Sequence, residues 1–195
     1  MTHRQRFETA WSFREPDRVP IEIEITAQAH AHPAAARVLE LIAQHADNLR
    51  GVPGADFGFL GLPTACSEEV IEQVPGTHRR IRHVQDTAAG RFTAVTYHPE
   101  GDLDYHWEKR YITTLDDLRR LAETPLPPAT WDKTTWPAAI RAIGEDAFPI
   151  VGLHHPLGYL ARHATLEEFY AWLYDEPRTV HRFLDAATEQ VVRAV

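Results

Sequence analysis

The octapeptide Val19-Pro-Ile-Glu-Ile-Glu-Ile-Thr26 constrains this chain more than any other stretch, because apolar and polar side chains alternate strictly and the apolar ones are β-branched. That period of two predicts a strand with one face buried. Residues 33 to 49 then carry Val38, Leu39, Leu41 and Ile42 at helical spacing behind Pro33, and a first-turn proline suits a helix. A Gly51-Val-Pro-Gly54 turn and the apolar run Phe57-Gly-Phe-Leu60 predict a second, buried strand. Strand, helix, strand is the unit of a parallel sheet.

Elsewhere the pattern changes. Residues 2 to 13 space Phe7, Ala10, Trp11 and Phe13 as a short amphipathic helix that must stop before Pro16. Residues 68 to 112 predict an antiparallel excursion, with strands over 69–73, 80–85, 91–97 and 105–112 and a hairpin turn at Asp86-Thr-Ala-Ala-Gly90. Thr114-Leu-Asp-Asp117 and Thr165-Leu-Glu-Glu168 are capping-box patterns, each opening a helix. Between them lie a helix on Trp136, Ala139, Ile140 and Ile143 and an apolar strand over 148–153. The last helix starts at Asp175-Glu-Pro177 and keeps its apolar stripe to the final residue, which predicts that the native chain continues.

The chain has 195 residues, of which 44% are hydrophobic, enough for one domain. A formal charge of −8 repels phosphate backbones and anionic lipid, so neither nucleic acid nor a membrane surface is an expected partner. Cys66 is the sole cysteine, which excludes an intrachain disulfide and a cysteine-rich metal site and fits a reducing cytoplasm. No apolar run approaches the ~20 residues of a membrane span.

Three stretches together resemble the uroporphyrinogen decarboxylase superfamily, which includes methyltransferases that move methyl groups between corrinoid proteins and thiols. They are Thr2-His-Arg-Gln-Arg-Phe through Glu15-Pro-Asp-Arg-Val-Pro20, then Trp107 to Leu121 with its Ile-Thr-Thr and Leu-Asp-Asp-Leu, and Val151-Gly-Leu-His-His-Pro-Leu-Gly158 with the helices after it. The resemblance implies a (β/α)8 TIM-barrel-type α/β fold, incomplete as given, in which residues 1–195 form the N-terminal portion of one barrel domain and 68–112 an inserted antiparallel β region.

The departures select among activities. The decarboxylases' Arg-Gln-Ala-Gly-Arg loop, suited to porphyrinogen carboxylates, would put arginines at Ile25 and Ala29, so that clamp is absent. Arg162 falls where the family's active-site tyrosine would lie. The resemblance therefore implies corrinoid-linked methyl transfer to a thiol, with zinc activating the sulfur and its ligands C-terminal to residue 195. The alternatives are decarboxylation of a carboxylated tetrapyrrole, and a non-catalytic binding module. Unpaired strand edges of a partial barrel would be covered by another chain, which admits a homo-oligomer.

Within such a barrel, Glu22 and Glu24 share one face of the first strand and either form a polar pocket floor or pair with an arginine such as Arg18. His30 and His32 follow at the catalytic rim, either as an i, i+2 pair able to ligate one metal, with His30 a substrate contact, or as solvated loop histidines. His154 and His155 end the strand over 148–153, and only one of these adjacent side chains can face a pocket as general acid or base. Asp56 either meets substrate or caps a turn, and Cys66, with no base nearby in sequence, reads as a packed thiol.

Overall fold

The chain is a mixed α/β protein, described by a computed structural model over residues 1–25, 30–54, 56–102, 104–129, 131–153 and 155–194. Its elements run α1 (His3–Trp11), α2 (Ala36–His45), β1 (Asn48–Gly51), β2 (Thr64–Val74), β3 (His78–Thr87), β4 (Gly90–Pro99), β5 (His106–Lys109), α3 (Leu115–Glu123), α4 (Trp136–Ile143), β6 (Ala147–Ile150), α5 (Pro156–His163), α6 (Leu166–Asp175) and α7 (Pro177–Ala194). They form two compact units, residues 1–54 with 132–152, and residues 55–131 with 153–195. Among the described residues no helix is long and apolar enough to cross a membrane.

In the first unit β1 and β6 pair in parallel, Asn48 opposite Ala147 through Gly51 opposite Ile150. The apolar side of α4 packs Ile143 onto Val52 and Ala147, while α1 lays Trp11 edge-on against Phe148 at 4.5 Å. Thr2 opens α1 with a capping box, accepting the Gln5 N–H at 3.1 Å while Gln5 accepts that of Thr2. The reciprocal bonds satisfy two of the N–H groups that a helix start leaves without intrahelical partners.

Two predicted strands are corrected here. Residues 19–25 of the alternating segment form no strand, and Ile21 and Ile23 remain about half exposed, at 49% and 47%; Thr26 lies outside the described residues. Asp47 N–H reaches Ile21 O, but a cavity opens between residues 22–25 and Asn48–Arg50, so no ladder continues. Alternation supplies a face to bury, whereas a strand also needs an edge to pair with. The run Phe57–Leu60 is a buried tight turn, with positive φ at Gly58, Leu60 and Gly61. The parallel partner of β1 is β6, far along the chain.

The second unit is built on a four-stranded antiparallel sheet, order β2-β3-β4-β5. Alternation on β4 buries Phe92, Ala94 and Thr96 on one face, where Leu118 and Leu121 of α3, Leu160 of α5 and Phe183 of α7 complete the core. Three of the four strands extend beyond the predicted limits, β2 beginning at Thr64, whereas β5 covers only His106–Lys109 of the expected 105–112. Both capping patterns read from the sequence lie at helix starts: Thr114 forms the full box, accepting the Asp117 N–H at 3.1 Å while Asp117 accepts that of Thr114, whereas at Thr165 only half forms, its hydroxyl accepting the Glu168 N–H at 3.2 Å and donating to the Glu168 carboxylate at 2.8 Å.

Candidate functional site

Helix α5 follows Gly152-Leu153 and is opened by Pro156, with His155 as its N-cap. Residues 155, 158, 159, 162 and 163 of this segment repeat at helical spacing, and all of them line one cavity of about 470 Å³ within the second unit. That volume is within the range of small-molecule sites. The facing wall comes from the sheet and from the buried turn: Gln85 on β3, Trp107 on β5, Tyr111, and Phe59.

The wall is aromatic. Ring centroids lie 5.0 Å apart for Phe59 and Tyr111, 5.5 Å for Tyr111 and His163, 5.7 Å for Tyr159 and His163, and 5.9 Å for Trp107 and Tyr111. The Arg110 guanidinium stacks over Trp107 at 5.1 Å and donates to the backbone carbonyl of Arg162. Burial pulls the Arg110 guanidinium below its ordinary value, and the like charge of Arg162 adds to the pull.

Among the described residues no carboxylate lines this cavity, and neither Arg110 nor Arg162 forms a salt bridge. Burial raises the hydroxyl of Tyr111 above its ordinary value, and burial with the nearby Asp56 charge raises that of Tyr159. Both phenols are therefore neutral donors near pH 7. Gln85 Nε2 donates to the Tyr111 hydroxyl at 3.4 Å. A pocket with cationic and neutral donors, aromatic sides and no anion suits a ligand that carries a negative charge on an unsaturated or apolar body.

The residues singled out in the sequence separate. His155 and Arg162 meet on this cavity; His154 lies outside the described residues. Glu22, Glu24 and His30 line a different cavity of about 380 Å³ in the first unit, with Asn48 and Arg50. Glu22 and Glu24 are both exposed instead of sharing an inward face, and Arg18 does not pair with them; it reaches Asp47 at 2.6 Å. His32 accepts the Ala34 N–H at 3.2 Å and caps a helical turn. Asp56 accepts the Gly58 N–H at 2.7 Å and closes the Phe57–Leu60 turn. Cys66 is exposed on β2, since an edge strand has no neighbour to cover it, and the packed reading is overturned.

Sequence reasoning missed Tyr159, Tyr111 and Trp107. The helical spacing of 155, 159 and 162 could have revealed Tyr159, whereas the other two reach the cavity only through the path of the sheet. Zinc has no seat here: among the described residues no three His, Cys, Asp or Glu side chains gather to hold a metal ion. No family model matches the chain, and neither a curated protein nor a solved structure does.

Proposed function

We propose that this chain is the substrate-binding portion of a protein of the uroporphyrinogen decarboxylase superfamily, that it holds a small anionic substrate beside α5, and that the complete reaction is corrinoid-linked methyl transfer to a thiol. The barrel-type arrangement belongs to this proposal, supported by the parallel β1–β6 pair, whose two strands each have a helix before them. The observation that carries the anionic substrate is the α5 face, where His155, Tyr159 and Arg162 open onto a cavity lined by no carboxylate. Arg162 supplies the fixed charge, the phenols donate neutral hydrogen bonds, and the rings exclude water from the substrate's body. Ile25 and Ala29, where the decarboxylases carry arginines, favour methyl transfer over tetrapyrrole decarboxylation. The second reading, decarboxylation of a carboxylated tetrapyrrole, is favoured by the ring-lined wall beside Arg110 and Arg162.

Isothermal titration of the chain separates these. The proposal expects 3-mercaptopropionate to bind and its neutral amide not to. Arg162→Gln should weaken binding about tenfold or more, as the loss of a charge-assisted hydrogen bond of roughly 1.5–3 kcal/mol implies. Equal binding of acid and amide overturns the anionic site. Preferential binding of a tetracarboxylated porphyrin transfers the case to the second reading.

A further inference from the structure

Across the sheet of the second unit four polar side chains connect in series. Glu68 on β2 lies opposite His83 on β3 and its Oε1 is 3.2 Å from His83 Nδ1. His83 Nε2 is 2.7 Å from the Thr96 hydroxyl on β4, and the same oxygen is 2.8 Å from His98 Nε2. Thr96 is 1% exposed, so its one hydroxyl proton has to find a partner inside this series.

Counting protons fixes the direction of the series. The Glu68 carboxylate only accepts, so His83 carries its proton on Nδ1 and leaves Nε2 as an acceptor. The Thr96 O–H then donates to His83, and His98 donates its Nε2–H to the Thr96 oxygen. One further proton, on either ring, is accommodated: on His98 Nδ1 without change, or on His83 Nε2 if the Thr96 hydroxyl turns and His98 shifts its proton to Nδ1. A second is not. Both Nε2–H groups would then point at Thr96, and its buried O–H would have no acceptor.

We propose that Glu68, His83, Thr96 and His98 form a relay with room for a single imidazolium, and that uptake of a second proton from solvent breaks it and releases the aromatic edge of the sheet. The edge is joined to the relay on every side. Trp107 lies opposite Thr96 and its ring is 6.1 Å from that of His83. Tyr105 stacks on His98 at 5.2 Å and meets Trp107 at 5.7 Å. The charged neighbours are Arg79, opposite His98 on β3, with Asp104 in the loop before β5 and Glu68 on β2. Burial, with the like charges of Arg79 and His83 adding to it, holds His98 below its ordinary value, which fits a series that resists a second proton. Since Trp107 also walls the α5 cavity, the relay makes that wall sensitive to pH. Its logic does not depend on which ligand the cavity takes.

Nitrogen-15 histidine NMR of the full chain tests this directly. At pH 8 the wild-type spectrum should show His83 as the Nδ1–H tautomer and His98 as Nε2–H; the reverse pair overturns the relay. On acidification the two rings should titrate in separate steps about one pH unit or more apart. The fluorine-19 signal of 5-fluorotryptophan at Trp107, assigned with Trp107→Phe, should follow the second step alone. Thr96→Val keeps the β-branched shape and removes the hydroxyl; the steps should draw together and Trp107 should cease to follow them. Unchanged steps in Thr96→Val, or a Trp107 signal that stays flat through both steps in the wild type, overturn the proposal. Should Thr96→Val fail to fold, the wild-type tautomers and the Trp107 response decide it.

Discussion

The Arg6 guanidinium donates to the carboxylate of Asp47, a side chain with no solvent exposure, deep in the first unit. Arg6 also reaches Asp17 at 2.6 Å, and Arg18 reaches Asp47 at 2.6 Å. Asp17 and Arg18, neighbours in sequence, thus share a structural task. It closes a network around one buried charge.

That network predicts an acid-labile first unit. Burial opposes the charge on Asp47, but the Ile21 N–H, the His3 ring and Arg6 outweigh it and hold the carboxyl below its ordinary value. A depressed carboxyl contributes stability above its unfolded value, about 3.9, and loses it as pH falls through the lower folded value. Asp47→Asn keeps the shape and leaves Arg6 and Arg18 without their shared counter-charge. It should cost about 3–5 kcal/mol at pH 7, as for other broken buried pairs, and the difference from wild type should shrink in acid. Urea denaturation at pH 7 and pH 3 measures both.

Legibility in the sequence followed how local each determinant is. The N-caps at Thr114 and Thr165 close within four residues, and both were readable, although only Thr114 completes the reciprocal box. Residues 19–25 alternate as a strand would, yet pairing depends on a neighbour that the segment itself does not encode. Phe57–Leu60 was read by its hydrophobicity, while Gly58 and Gly61, which turn it, were in plain sight. His155 and Arg162 were found by position, but Trp107 joins them through strand register and Tyr111 through the chain's path just after β5, which no short window contains.

Gly58 is the tightest of these turns. Its φ is +58°, and a Cβ there would sit 2.0 Å from the Leu62 carbonyl oxygen. The left-handed backbone alone costs an L-residue roughly 1–2 kcal/mol, and the clash with immobile backbone adds to it. Gly58→Ala should therefore destabilise the second unit by more than that figure, read from the chemical denaturation midpoint, and should loosen Phe59 at the cavity wall.

Gln190 on α7 offers a test of a buried amide. Only 7% exposed, it donates through Nε2 to Gly61 O at 3.0 Å and to Pro127 O at 2.6 Å. Gln190→Leu leaves two carbonyls without that donor, at roughly 1–3 kcal/mol each. Gln190→Glu directs a carboxylate at the same two oxygens, which raises its pKa, so this variant should be less stable at pH 7 than the leucine variant and recover as acid protonates it. Thermal melts of both variants at pH 7 and pH 5 distinguish these outcomes.

His98 sets the response of the sheet to mild acid. Its folded value lies below the ordinary histidine value because of burial, with Arg79 and His83 adding to the effect. The unfolded chain, titrating near 6.5, then binds more protons than the folded one throughout the interval between the two values. Stability is full above that unfolded value, declines as pH falls from it toward the folded value, and levels off below. His98→Asn removes the titrating ring, so the fall in urea midpoint between pH 7.5 and pH 5 should be smaller in that variant than in wild type. An equal fall in both would assign the acid sensitivity to other groups and not to His98.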